Sequence, residues 1–277
     1  MNYWQYDIEI APELSDVLVA YLSEGEFDTF EETENGLRAY LPAREEDAQA
    51  RAEILLNDLK EQFAFTWTAT FHPSQNWNEI WESNFQPVVV NDFCAVRADF
   101  HAPIPGVRYE MVINPKMAFG TGHHETTWQC MAAMENLDLK GKNLLDYGCG
   151  TGILAILAAM LGADNIEAVD IESESYENTL ENSRINDVSG QITARCGILS
   201  DVQGDSFDGI FANINRHIIL PSLPRLSEIC KPGGWLMASG ILFSDETVVD
   251  EAAAAVGFRK TNQTRKGDWL CILYEKN

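Results

Sequence analysis

Three stretches place polar groups where apolar runs end, and together they suggest a binding site. Leu144-Leu145-Asp146-Tyr147-Gly148-Cys149-Gly150-Thr151-Gly152-Ile153 passes from an apolar run through an acid and three alternate glycines into an apolar helical stretch, 153–161. This reads as strand, tight turn and helix start, in which glycines let backbone approach a ligand and helix N–H groups face it. A dinucleotide-binding G-x-G-x-x-G would need its third glycine at Ile153, so the spacing departs from that fingerprint. The second stretch, 165–170, ends in Asp170, 24 residues after Asp146. At that spacing a carboxylate can accept hydrogen bonds from both hydroxyls of a ribose, and the plainer alternative is a helix N-cap. The third, 207–216, carries Asn213 where a strand gives way to a polar loop. Its amide can accept a hydrogen bond from an amine nucleophile while still donating one, and a loop-capping role is the alternative.

A fourth stretch, Asn114-Pro115-Lys116-Met117-Ala118-Phe119-Gly120-Thr121-Gly122-His123-His124-Glu125-Thr126-Thr127, leads a glycine loop into a helix through Cys130, Met131 and Met134. The Thr126 and Thr127 hydroxyls are placed to satisfy the helix's first N–H groups. The loop itself reads as a wall over a ligand. No metal site is expected, because adjacent histidines rarely point at one site and no i, i+4 partner accompanies them.

These residues need a scaffold of alternating strands and helices. After the glycine turn the pattern gives helix 173–185, strand 192–196, strand 207–213, helix 220–230, strand 235–239 and helix 245–256. Stretches 258–263 and 269–274 close the sheet as an antiparallel pair. This order favours a seven-stranded Rossmann-like sheet over the six parallel strands of a dehydrogenase, with Asn213 at a strand's carboxyl end near the switch point. Upstream, strands are expected at 88–90, 93–98 and 109–113.

Residues 1–72 read as a separate small α+β domain. Strand 4–10, a helix opened by Pro12, a hairpin at Asn35-Gly36, helix 48–59 and strand 63–71 give the β-α-β-β-α-β order of a ferredoxin-like fold. Residues 73–86, with Trp77, Ile80, Trp81 and Phe85 at helical spacing, read as a linker helix, and 87–277 as the catalytic domain.

The net charge is −24, which argues against tracking nucleic-acid phosphates and fits a basic partner or simple solubility. Residues 1–72 hold 16 acids and 4 bases, half the excess charge on about a quarter of the chain. Glu24, Glu26, Asp28, Glu31, Glu32 and Glu34 are either a solvated face or a docking face for a basic protein. No run of about 18 apolar residues suggests a membrane span, and the first residues lack the basic and apolar regions of a signal peptide. The six cysteines form no C-x-x-C pair, so a cytoplasmic protein with reduced thiols is expected.

The motifs G-T-G-x-H-x-T-T at 120–127, Asp146-x-Gly148-x-Gly150-x-Gly152-Ile153-Leu154-Ala155-Ile156, Val169-Asp170-Ile171 and Ala212-Asn213-Ile214 together resemble the bacterial ribosomal protein L-eleven methyltransferases. The resemblance extends to the layout: a small N-terminal domain, a linker and a class I methyltransferase domain. It implies S-adenosylmethionine as cofactor, and methylation of lysine ε-amines and the N-terminal α-amine of a large-subunit ribosomal protein held by the N-terminal domain. It also implies cofactor contacts at Thr127, Gly148, Asp170 and Asn213, with Phe119, Gly120 and Thr121 over the methionine end. Asn213 would orient the amine. The chain departs from the family pattern at His124-Glu125, where His-Pro is common, and at Asn215-Arg216. Enzymes acting on glutamine amides or bases carry N-P-P-Y where this chain has Asn213-Ile214-Asn215-Arg216; a non-catalytic sensor of the cofactor is the other alternative.

Overall fold

The computed structural model describes residues 2–43, 47–72, 86–114 and 118–277. The chain divides into two compact units, Met1–Asn84 and Phe85–Asn277, each taken by itself below. Most of the expected linker helix, 73–85, lies outside the described residues.

The first unit contains β1 (Tyr3–Ile10), α1 (Pro12–Glu24), β2 (Thr29–Thr33), β3 (Gly36–Pro42), α2 (Ala48–Lys60) and β4 (Phe65–His72). Its antiparallel sheet has the order β2-β3-β1-β4, as a ferredoxin-like fold requires. Alternate residues Tyr6, Ile8 and Ile10 of β1 enter the core with Leu37, Ala39 and Leu41 of β3, and Leu18, Leu22, Leu56 and Leu59 cover them from the helices. The hairpin turn falls one residue earlier than Asn35-Gly36 suggests. Thr33 pairs with Gly36, leaving Glu34 and Asn35 as the loop. Gly36 instead begins β3, where a Cβ would stand 2.2 Å from the Ile8 carbonyl oxygen, so close approach of two strands demands the glycine.

The second unit opens with β5 (Val88–Val90), β6 (Cys94–Arg97) and β7 (Tyr109–Val112), which form a three-stranded sheet. Then follow α3 (Glu125–Met134), β8 (Asn143–Tyr147), α4 (Ile153–Met160), β9 (Asn165–Asp170), α5 (Ser173–Ile185), β10 (Ile192–Cys196), β11 (Phe207–Asn213), α6 (Arg216–Ile229), β12 (Cys230–Leu242), α7 (Glu246–Ala255), β13 (Phe258–Lys266) and β14 (Trp269–Lys276). The seven-stranded sheet has the order β10-β9-β8-β11-β12-β14-β13. Strands β8 to β12 run parallel, and β14 runs antiparallel to both its neighbours.

Period-two alternation sends neighbouring residues to opposite faces of this sheet. Leu144, Ala168, Phe211 and Met237 join one core, with α4 packed in it. Leu145, Val169, Ile210, Ala212 and Leu236 join the other, covered by Ile219, Leu223 and Leu226 of α6 and Val249 of α7. Helix α4 is only 8 residues long and buries seven of them, as a helix hydrophobic all round must. Each fully buried Leu or Ile contributes roughly 1.5–3 kcal/mol.

Two boundaries differ most from the sequence reading. Helix α6 begins at Arg216, before the expected 220, and holds Pro221 and Pro224 inside it. Its start is fixed by the Asn215 carbonyl, which accepts from the Ile218 and Ile219 N–H groups, and packing of its apolar face outweighs the hydrogen bonds that proline removes. Strand β12 also starts earlier, at Cys230, and passes through the Pro-Gly-Gly segment by a register shift against β11.

Among the described residues, no helix is long and apolar enough to cross a membrane, and no cluster of three His, Cys, Asp or Glu side chains could hold a metal.

Candidate active site

The sheet's switch point lies between β8 and β11, where chain order reverses. A cavity of about 720 Å³ opens there, in the size range of small-molecule sites. Tyr147, Gly148 and Gly150 after β8, Asp170 and Glu172 after β9, and Asn213, Ile214 and Asn215 after β11 line it. Phe119, His124 and Thr126 form a further wall, and Trp269 at the start of β14 completes it.

The glycine turn is held by the protein itself. Gly148 and Cys149 N–H groups donate to the Val169 carbonyl at 2.8 and 3.2 Å, Thr151 N–H to the Phe119 carbonyl at 2.9 Å, and Gly152 N–H to the Cys149 carbonyl at 2.8 Å. Gly150 N–H donates to Asp170 Oδ2 at 2.9 Å. Protein acceptors satisfy all five N–H groups of the turn, so the turn itself is no phosphate cradle. Its glycines likewise clear protein. With φ of +56°, Gly150 lies in the left-handed region, and a Cβ there would stand 2.2 Å from the Phe119 carbonyl oxygen. A Cβ on Gly148 would stand 2.1 Å from Ile214 Cγ2.

The two acids of the motif have different surroundings. Asp146 is buried, and its Oδ2 accepts from Ala155 N–H at 3.1 Å in the first turn of α4. Burial, opposed by that hydrogen bond and assisted by the nearby Asp170 charge, pushes its carboxyl up to about 7. Asp170 is half-buried at the cavity wall. Its Oδ2 holds Gly150 N–H and its Oδ1 accepts from Glu172 N–H at 3.1 Å, so it joins two loops and keeps lone pairs on both oxygens.

Asn213 donates from Nδ2 to Thr127 Oγ1 at 3.2 Å. Its Oδ1 is buried with no hydrogen-bond partner. Thr127 is fully buried and does not line the cavity, so it stands behind Asn213.

Of the remaining expected residues, Phe119 lines the cavity, the Gly120 carbonyl accepts from Thr151 Oγ1 at 2.5 Å, and Thr121 Oγ1 lies 3.0 Å from His123 Nδ1. The cap of α3 is not a threonine hydroxyl. His124 Nδ1 accepts from Thr126 N–H at 3.3 Å and lies 2.8 Å from the Thr126 hydroxyl. An imidazole nitrogen thus does what the sequence assigns to hydroxyls, because the extended backbone at His124 places its ring over the helix end. The His123 ring has other partners, Thr121 and the Gln86 carbonyl. The His124 ring also meets Phe119 at 5.5 Å and Trp269 at 5.0 Å between centroids.

Trp269, Tyr147 and His124 are cavity residues that the sequence reading did not assign to a ligand. For Trp269 a signal existed. The last strand reverses direction, so its first residue must lie beside the carboxyl ends of the parallel strands; Trp269 pairs with Leu242 at the end of β12.

The sequence matches the family described as "Ribosomal protein L11 methyltransferase (PrmA)" over residues 13–277. The ribosomal protein L11 methyltransferase of Phocaeicola vulgatus is 38% identical over 263 residues, covering 94% of this chain and 93% of that one. That of Bacteroides fragilis is 36% identical over 279 residues, covering 99% of each. Among solved structures, the ribosomal protein L11 methylase of Lactobacillus delbrueckii subsp. bulgaricus superposes with a TM-score of 0.64 at 29% identity, covering 70% of this chain and 100% of that one. With the seven-stranded class I sheet and a match over nearly its whole length, the chain belongs to the ribosomal protein L11 methyltransferase family.

Proposed function

We propose that the switch-point cavity is where this S-adenosylmethionine-dependent methyltransferase acts on amino groups of ribosomal protein L11, the lysine ε-amines and the N-terminal α-amine. The observation that carries this reading is the buried, unpartnered Oδ1 of Asn213, a residue that lines the cavity. A buried acceptor without a donor costs about 1–3 kcal/mol, so the site is completed by a ligand that brings a hydrogen-bond donor, as an amine does.

The cavity fits the cofactor. It has no phosphate cradle, it offers the Asp170 carboxylate for a ribose diol, and Phe119, Ile171, Ile214 and Ile218 give it apolar walls. Asp170, Gly148 and the loop carrying Phe119, Gly120 and Thr121 would hold S-adenosylmethionine, with Thr127 fixing Asn213 beside it. The cofactor supplies a methyl group already activated by its sulfonium, leaving the protein to align the nucleophile.

The chain's own residues must present a neutral amine. An unperturbed lysine at pH 7 needs roughly 4–5 kcal/mol to lose its proton. Apolar walls disfavour the ammonium form. With Nδ2 held by Thr127, Asn213 presents its oxygen to an amine N–H and leaves the nitrogen lone pair free for the methyl group. The proton passes to water.

Substrate choice belongs to the acidic N-terminal unit. Its Glu26 and Glu31 pair with Arg51 and Arg38 inside the unit, while Glu32 and Glu34 are exposed. The net charge of −24 suits a basic ribosomal protein in the cytoplasm and disfavours nucleic acid.

The test is incubation of the full chain with methyl-labelled cofactor and recombinant L11, followed by peptide mass analysis. Label on lysine and N-terminal amines is expected; label absent from L11, or on glutamine amides, overturns the reading. In the same assay Glu32→Lys combined with Glu34→Lys should raise KM for L11 about threefold to tenfold, leaving KM for the cofactor unchanged.

A further inference from the structure

Thr151 lies inside the glycine motif, yet it is fully buried and does not line the cavity. Each of its polar groups is committed. Its N–H donates to the Phe119 carbonyl at 2.9 Å, its hydroxyl donates to the Gly120 carbonyl at 2.5 Å, and its carbonyl accepts from Asn182 Nδ2 at 2.9 Å. The wall carrying Phe119 is thus bound to the turn through this one residue on two consecutive carbonyls.

Behind Thr151 stands a ladder of amides. Asn178 and Asn182 are four residues apart on one face of α5, and Asn186, four further on, caps its end. Asn186 accepts from Val112 N–H at 2.8 Å and donates to the Val112 carbonyl at 2.7 Å. Asn182 Oδ1 accepts from Asn114 N–H at 3.1 Å, and Asn178 Nδ2 donates to the Asn114 carbonyl at 3.0 Å. Side chains of α5 and of its cap therefore replace the neighbouring strand that β7 lacks, and they hold the backbone at Val112 and Asn114. Asn182 joins the two fastenings, because the same side chain grips Asn114 and Thr151.

We infer that Thr151 and Asn182 are positioning residues that clasp the Phe119 wall to the glycine turn, so that two side chains away from the cavity set the affinity for the cofactor. The inference rests on reading the cavity as the cofactor site. Phe119 is 57% exposed, so beyond the edge contact of its ring with His124 its hold comes from its backbone. A wall ordered before binding loses less conformational entropy when ligand arrives, and releasing the wall transfers that cost to binding. Thr151→Val keeps the shape and removes the hydroxyl; Thr151→Ser keeps the hydroxyl.

The experiment measures the dissociation constant of S-adenosylhomocysteine by calorimetry, and KM for cofactor and for L11 separately, in the full chain. Thr151→Val should weaken S-adenosylhomocysteine binding and raise the cofactor KM about tenfold, the scale of one hydrogen bond, with KM for L11 unchanged and with rescue in Thr151→Ser. If Thr151→Val folds poorly, Thr151→Ala, which only removes atoms, carries the same comparison. Cofactor affinity within about twofold of the parent, or a lower unfolding midpoint with no change in cofactor KM, overturns the clasp. Asp170→Ala separates the two readings: affinity lost there but kept in Thr151→Val overturns the clasp alone, and affinity kept in both overturns the cavity reading beneath it.

Discussion

At the glycine turn every backbone N–H from Gly148 to Gly152 donates to a protein acceptor, whereas at the end of β11 Asn213 keeps a buried oxygen with no donor. One wall of the cavity is complete without a ligand, and the other is not. The difference separates holding from chemistry. A finished turn needs no rearrangement to receive a cofactor, so its geometry is ready in advance. An unpartnered acceptor destabilises the empty site and recovers that energy when a hydrogen-bond donor arrives, which favours an amine over a carbon acid.

The largest effect that tests this contrast is expected at Asn213. Asn213→Leu keeps the volume and removes the acceptor, and kcat/KM for methyl transfer should fall about 10²–10³-fold, the scale seen when one aligned hydrogen-bonding group is lost from a site. The unfolding midpoint should change little, because removing one buried acceptor without a partner offsets the loss of the Nδ2 donor to the buried Thr127 hydroxyl. Steady-state kinetics and thermal unfolding check both halves. If the affinity for S-adenosylhomocysteine falls as steeply as kcat, Asn213 serves the cofactor and not the amine.

Gly150 should behave in the opposite way. Gly150→Ala forces a side chain into the left-handed region and onto the Phe119 carbonyl, so it should destabilise the fold by about 4 kcal/mol and lower the midpoint by roughly 8–16 °C. A midpoint within about 2 °C of the parent would mean that the turn is loose and only ligand holds it.

How much of this was legible in the sequence follows the same division. Strand Asn165–Asp170 and helix Ser173–Ile185 match their expected bounds, because an apolar run ending in an acid and a polar-to-amphipathic switch are local signals. Asn213 could be placed at a strand's carboxyl end by topology alone. Its unpartnered oxygen could not, because that depends on Thr127, 86 residues earlier in the chain. The glycines were legible as a tight turn, but what they clear was not: Phe119 and Ile214 reach them only in the folded sheet. Likewise the hairpin signal at Asn35-Gly36 was read from propensity, and the approach of Ile8 to Gly36 moved the turn by one residue.

The smallest of the three effects concerns Asp146, the acid next to last in β8, behind the finished wall. Its carboxyl, ordinarily near 3.8, is pushed up to about 7 chiefly by burial. The folded protein therefore holds this proton more tightly than the unfolded chain does. Above pH 7 the buried charge opposes folding, and that opposition disappears as pH falls through the window from about 7 to about 4. Asp146→Asn has no charge to bury and keeps an oxygen for Ala155 N–H. The variant should be more stable than the parent at pH 8 by on the order of 3 kcal/mol, and the advantage should shrink to nothing near pH 4. Denaturant midpoints for both proteins across that range decide it. A difference that stays constant with pH would mean that Asp146 does not titrate in this window, and that the turn wall contains no buried charge to contrast with the neutral acceptor of Asn213.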